Sequence, residues 1–268
     1  MSMRIIVIAA TEQSELPLGL LEMSLREGQQ VVGVIIRKTL TLERLKEEMR
    51  FGLVAFLKKI VTKILQRYSD SVEEQSGWGK FLQQNFIARR SITNACNEYN
   101  IPVCKTVSLN SIEASLFVKT LTPTLAIFGG GGLVRAELLN CVPIVNCHMG
   151  LLPKYRGNYP WIWALINKEY DQIGLSIHLM EERLDLGPIL KNVPIKITKN
   201  QSLFQLGKDL EYAMIPEIIS ALTIAEKYLD DKIPEGCYQK ELDGKQYYVP
   251  HNMLIKLAEK NLKIYHKG

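Results

Sequence analysis

Short β-branched runs alternate with helical patterns through the first 130 residues, and this alternation limits the fold more than any other feature. Arg4-Ile5-Ile6-Val7-Ile8-Ala9 is the first run and Val31–Ile36 the second. In both, residues pointing either way are apolar, which suits strands covered on both faces. Leu16–Glu27 between them has the length and periodicity of a crossover helix. Repeated strand–helix alternation builds parallel βαβ units. The expected class is α/β, a Rossmann-like, mostly parallel sheet flanked by helices. Further strands are expected at Val103–Val107, Leu125–Phe128, Ile144–His148 and Leu175–Met180. Helices are expected at Asn85–Tyr99, Ser111–Leu121, Pro160–Asn167 and Leu203–Tyr228, with Asn110 and Ser202 as N-caps.

Asp243-Gly244, between Tyr238-Gln239 and Tyr247-Tyr248-Val249, has the composition of a hairpin turn. A helix is expected at Asn252–Ile264. The division is therefore a main domain over 1–231 and a small C-terminal hairpin-plus-helix appendage over 232–268. Residues 42–86 form an insertion in the βαβ pattern. Leu45, Met49, Leu53, Phe56, Ile60 and Ile64 recur there at helical spacing, decorated by Arg50, Lys58, Lys59, Lys63 and Arg67. The plain reading is a helix packed on its own domain or on a second subunit, and the second case would make a homodimer. A lid and an interfacial membrane helix are the alternatives.

A chain of 268 residues accommodates one large α/β domain and an appendage. Its 33 Lys plus Arg against 28 Asp plus Glu leave a net charge of +5. That leans toward anionic small molecules but is too weak to point to nucleic acid. Five scattered cysteines, an odd number, fit reduced thiols in a cytoplasmic protein and neither a disulfide framework nor a zinc site; no metal is expected. The first apolar run is too short and too early for a signal peptide, and no run reaches the ~18 apolar residues of a membrane span.

The chemistry concentrates in Asn146-Cys147-His148, then Leu151-Leu152-Pro153-Lys154-Tyr155-Arg156-Gly157, then Leu184-Asp185-Leu186-Gly187-Pro188. Side chains two apart on a strand share a face, so Asn146 and His148 point the same way at a strand's carboxyl end, where open α/β sheets bind ligands. Taken singly, Asn146 is a turn former, His148 a structural histidine, Cys147 a small buried hydrophobe and Asp185 an ordinary loop aspartate. Together an amide, an imidazole and a carboxylate can polarise a carbonyl and move a proton. Gly129–Gly132 after a strand reads as a flexible turn. It is not the Gly-x-Gly-x-x-Gly of a dinucleotide site, because the first βα turn reads Ala9-Ala10-Thr11-Glu12-Gln13-Ser14.

The pattern Asn-x-His-x-x-Leu-Leu-Pro-x-Tyr-Arg-Gly, followed by Gly174-x-Ser-Ile-His178 and Leu-Asp-x-Gly-Pro-Ile, resembles the folate-dependent formyltransferase family. The resemblance covers residues 1–230 as a layout and is strongest over 124–190. It implies N10-formyltetrahydrofolate as formyl donor and an amine as acceptor. It places the family's catalytic residues on Asn146, His148 and Asp185. It also implies folate contacts from Gly131, Gly132, Leu133, Val134 and Ile144, and from Glu182 in the Met180–Leu184 loop. Lys154, Arg156 and Tyr159 are candidates for the acceptor. Gly150 stands where the family usually has serine, so a hydroxyl is missing from this loop. His178 has a match in the glycinamide ribonucleotide branch. The preferred acceptor is a nucleotide-linked amino sugar. Methionyl-tRNA, hydrolysis by water, and a catalytically silent folate- or nucleotide-binding role remain as alternatives.

Overall fold

The computed structural model describes residues 3–38, 76–230, 233–234 and 237–267. Among the described residues nine strands carry the frame: β1 Arg4–Ala9, β2 Gln30–Arg37, β3 Val103–Thr106, β4 Leu125–Gly129, β5 Ile144–His148, β6 Tyr155–Gly157, β7 Gly174–Leu179, β8 Ile189–Pro194 and β9 Lys245–Tyr247. The helices are α1 Glu15–Arg26, α2 Gly77–Gln84, α3 Ile92–Glu98, α4 Ile112–Leu121, α5 Ala136–Leu139, α6 Pro160–Ile166, α7 Leu203–Asp230 and α8 Asn252–Tyr265. Seven strands form one sheet in the order β3-β2-β1-β4-β5-β7-β8. The first five are mutually parallel, and β7 runs antiparallel to both β5 and β8. The sequence-based class, a Rossmann-like mostly parallel sheet flanked by helices, is what forms.

The core follows from the strand composition. Ile5, Ile6, Val7, Ile8 and Ala9 are all fully buried, because each face of β1 carries a helical layer. Ile5 and Val7 join a cluster with Leu20 and Leu21 of α1, Ile92 of α3, and Ile215 and Ile218 of α7. Ile6 and Ile8 pack on the other side with Ala114 and Val118 of α4 and Leu138 of α5. Gly19 lets α1 lie close on α7, since a Cβ there would meet Ile215 Cδ1 at 2.5 Å. The strand order reverses between β1 and β4, and the carboxyl ends of β1, β4 and β5 open toward one crevice, the usual ligand position in such sheets.

Four expectations change in detail. The helix expected over Asn85–Tyr99 is only Ile92–Glu98, because Asn85 caps the preceding helix, Phe86 takes φ +54°, and Ser91 caps the next start. Asn110 does not cap α4; Ser111 does, and the Asn110 side chain instead accepts from Arg135 N and donates to Leu133 O. The hairpin at Asp243-Gly244 does not form. A 3-10 turn over Glu241–Asp243 leads into β9, which pairs in parallel with β6, far away in sequence. Gly244 is extended, with φ −160°, and a Cβ there would overlap the Pro153 carbonyl. Close approach, not turn conformation, requires glycine. Finally, β8 was not anticipated. Most of the proposed insertion, residues 42–75, lies outside the described residues, and its described end contributes α2.

Candidate active site

Asn146 and His148 sit where β5 ends, with Cys147 pointing the opposite way into the core. His148 is 6% exposed. Its Nε2 lies 2.8 Å from the Tyr155 carbonyl, so that nitrogen donates. Its Nδ1 lies 3.6 Å from Asp185 Oδ2. Asp185 is 7% exposed and takes φ +55°, a strained conformation that an aspartate tolerates better than most residues. Its Oδ2 also accepts from Gly157 N at 2.8 Å. β6 therefore touches both partners: the Tyr155 carbonyl holds the histidine and the Gly157 amide holds the aspartate.

His178 joins this set more closely than its weak claim in the sequence suggests. Antiparallel pairing of β7 with β5 puts His178 opposite Asn146. Its Nε2 is 3.1 Å from Asn146 Nδ2 and 3.7 Å from Asp185 Oδ1, and its Nδ1 is 2.9 Å from the Leu179 carbonyl. Burial pushes its pKa down to about 4, and His148 adds to that, against the opposing pull of Asp185. Asp185 thus lies between two imidazoles, one of which grips the asparagine.

Ser176, also on β7 and wholly buried, fixes the loop after His148. Its Oγ accepts from Leu152 N at 2.8 Å and lies 2.7 Å from the Gly150 carbonyl and 2.5 Å from Asn192 Oδ1. Asn192 in turn donates to the Leu152 carbonyl. Gly150 has a steric reason. A Cβ there would lie 2.5 Å from Pro160 Cβ and 3.3 Å from His148 Nε2.

A cavity of about 870 Å³ opens at this point, within the ~300–1,000 Å³ of small-molecule sites. Asn146, His148, Gly157, Tyr159, Glu15 and Glu211 are among its lining residues. Among the described residues none of its lining is lysine or arginine. Glu15 pairs with Arg89 at 2.8 Å, and burial raises the carboxyl of Glu211. Asp185 is not among the lining residues and lies 3.6 and 3.7 Å from the two histidines.

The other candidates separate. Gly130, Gly131 and Gly132 all have positive φ, between 100° and 129°, so the turn after β4 needs glycine. Leu133, Val134 and Glu182 line a second depression of about 400 Å³. Ile144 is fully buried in the core and its carbonyl accepts from Met180 N, so its side chain is taken up by packing. Tyr159 is half-exposed on the cavity wall, at φ +52° just before Pro160 starts α6. Arg156 is not free for an acceptor: it is 3% exposed and donates to the Lys240 and Glu241 carbonyls. Lys154 lies outside the cavity lining and pairs with Glu169 at 2.6 Å. Burial pushes the Cys147 thiol up, as a core cysteine requires. Gln239, which donates to the Asp185 and Gly187 carbonyls at 3.1 and 2.7 Å, was not anticipated at all.

Fold and site together define an α/β domain with an amide–imidazole–carboxylate set at the sheet's open end. Residues 117–219 match the family model described as formyl transferase. A methionyl-tRNA formyltransferase of Campylobacter jejuni is 31% identical over 153 residues, covering 55% of this chain and 50% of the relative. A phosphoribosylglycinamide formyltransferase of Bacillus halodurans superposes with TM-score 0.54 at 19% identity, covering 88% of this chain and 100% of the other. A sugar N-formyltransferase of a Shewanella species gives 0.56 at 12% identity, covering 97% and 87%. Over residues 117–219 the chain matches the formyl transferase family, and along its length it is similar to folate-dependent formyltransferases. It spans about half the length of the curated relatives it matches. No helix among the described residues is long and apolar enough to cross a membrane.

Proposed function

We propose that this protein transfers a formyl group from N10-formyltetrahydrofolate to the primary amine of a small molecule. The observation that carries the reading is the set Asn146, His148, Asp185 and His178 converging at one strand end on an open cavity. The donor supplies a formyl carbon that is already activated for attack. The bond from that carbon to N10 breaks, a bond to the acceptor nitrogen forms, and the proton lost by the amine is returned to N10. Asn146 holds one amide N–H on His178; its second N–H is the donor for the formyl oxygen as charge gathers there. A single donor of this kind is typically worth ~2.7–4 kcal/mol of barrier. His148 supplies a second donor by exchanging the Tyr155 carbonyl for the substrate. Asp185 favours the charged imidazole and takes the amine's proton through water.

The glycine-rich turn and the depression lined by Leu133, Val134 and Glu182 fit a flat heteroaromatic donor, because backbone at 130–132 is bare of side chains. The acceptor's amine-bearing part enters the larger cavity. The described lining offers Glu15, Glu211 and aromatic rings to an uncharged or cationic group. In the finer form of this reading the acceptor is a nucleotide-linked amino sugar, with the sugar inside and the phosphates outside. A second reading is aminoacyl transfer RNA, favoured by the 31% identity to a methionyl-tRNA formyltransferase. The test is formyl transfer with amino-sugar nucleotides, charged initiator methionyl-tRNA and water offered in parallel. Formylation of a sugar amine supports the first reading. Formylation of the tRNA alone replaces it with the second, and release of formate alone makes the protein a hydrolase.

A further inference from the structure

We infer that the segment from Gln239 to Tyr247 is a positioning clamp for the site, not an independent appendage. Gln239 acts directly, its amide nitrogen bridging the carbonyls of Asp185 and Gly187 at 3.1 and 2.7 Å. Those two residues flank the turn that holds Asp185 at φ +55°. The second arm runs through β6. One side of β6 meets the site through the Tyr155 carbonyl on His148 and the Gly157 amide on Asp185. The other side is fixed by the clamp. β9 pairs with it in parallel, Lys245 N donates to the Lys154 carbonyl, and Asn158 N donates to the Tyr247 carbonyl. Arg156 reaches across and donates to the carbonyls of Lys240 and Glu241 at 2.8 and 2.9 Å from a buried position. Tyr247 stacks on Tyr155 at 5.2 Å, and Trp163 donates to the Tyr248 carbonyl. Gly244 permits the close approach to Pro153.

Every backbone group that orients His148 and Asp185 from outside β5 is therefore one step from the clamp. A three-residue strand has few ladder bonds of its own, so β9 adds to the anchors that Tyr155 already has in Glu169, Asn167 and the Leu151 carbonyl. The clamp touches neither donor nor acceptor. Its effect is on the placement of groups that do, where a shift of ~1 Å costs ~100-fold in rate. Gln239 and Arg156 are accordingly positioning residues.

The inference rests on the formyl-transfer reading for its kinetic test and has a second readout that does not. In the full chain, Gln239→Leu removes both bridges at similar volume, and Gln239→Glu is the isosteric alternative should the first variant not fold. With wild type turning over an acceptor, kcat is expected to fall about 10- to 100-fold while KM for donor and acceptor stays within about twofold. The thermal midpoint is expected to hold. Nitrogen-15 resonances of the His148 ring report its contacts without turnover, and they are expected to move in the variant. A wild type that formylates no amine defeats the functional reading, and the clamp is then judged by the ring resonances alone. Ring resonances unchanged from wild type, with kcat within twofold where turnover exists, overturn the clamp.

Discussion

His178 Nε2 lies 3.1 Å from the amide nitrogen of Asn146, while its Nδ1 lies 2.9 Å from the Leu179 carbonyl. A carbonyl only accepts, so Nδ1 carries the proton and Nε2 is left as an acceptor for the asparagine. Burial keeps this ring neutral by pushing its pKa down to about 4. The asparagine is therefore aimed by a histidine that does not itself carry charge at neutral pH. His178→Phe keeps the ring volume and removes the acceptor. The expected outcome is kcat lowered by about 10- to 100-fold with the fold intact, since the freed carboxamide loses its single orientation. His178→Gln, whose oxygen can accept from Asn146, is expected to recover part of that loss in the same steady-state assay.

The same ring gives a pH signature in stability. An unfolded histidine titrates near its ordinary 6.5, and the folded one at about 4. Between those values the unfolded chain binds more protons, so unfolding becomes easier as pH falls from about 6.5 toward 4. Above 6.5 this contribution is fully present and flat. The size is on the order of 1–3 kcal/mol. Asp185 faces the ring at 3.7 Å and favours its charged form, while His148 disfavours it. Urea unfolding across that window is expected to show a steeper pH slope in wild type than in His178→Phe. Equal slopes would remove His178 as its source.

Gly150 stands where the family resemblance leads to the expectation of a serine. The structure makes the departure steric, because a Cβ at 150 meets Pro160 at 2.5 Å. Gly150→Ser is expected to destabilise the protein by roughly 1–3 kcal/mol, the usual range for overpacking, without raising turnover. Differential scanning calorimetry and the formyl-transfer assay check the two halves.

Much of this was legible in the sequence, for identifiable reasons. Ile5–Ala9 declares itself a strand because both its faces are buried, and Asn146 and His148 declare a shared face by their spacing of two. β8 escaped because it is an edge strand with little more than Leu190 buried, so it lacks the apolar run that marks β1. β6 escaped because a three-residue strand has no periodicity to read, and β9 was expected two residues later, at Tyr247-Tyr248-Val249, as a hairpin arm. Asp243-Gly244 misled because its glycine serves a close approach to Pro153 and not a turn. Arg156 looked like an acceptor ligand because a sequence shows a charge and not the carbonyls that take it up. Gln239 gave no local signal; its role exists only through contacts with Asp185 and Gly187 more than fifty residues away.

The central claim is that Asn146, His148 and Asp185 act together as one formyl-transfer device. The most direct measurement is the rate of formyl transfer from N10-formyltetrahydrofolate to the accepted amine by wild type, Asn146→Ala, His148→Ala and Asp185→Ala, with folding checked by circular dichroism. The account predicts that His148→Ala and Asp185→Ala each abolish turnover while staying folded, and that Asn146→Ala loses about 100- to 1,000-fold in kcat. A folded His148→Ala or Asp185→Ala variant that turns over at near the wild-type rate would contradict it.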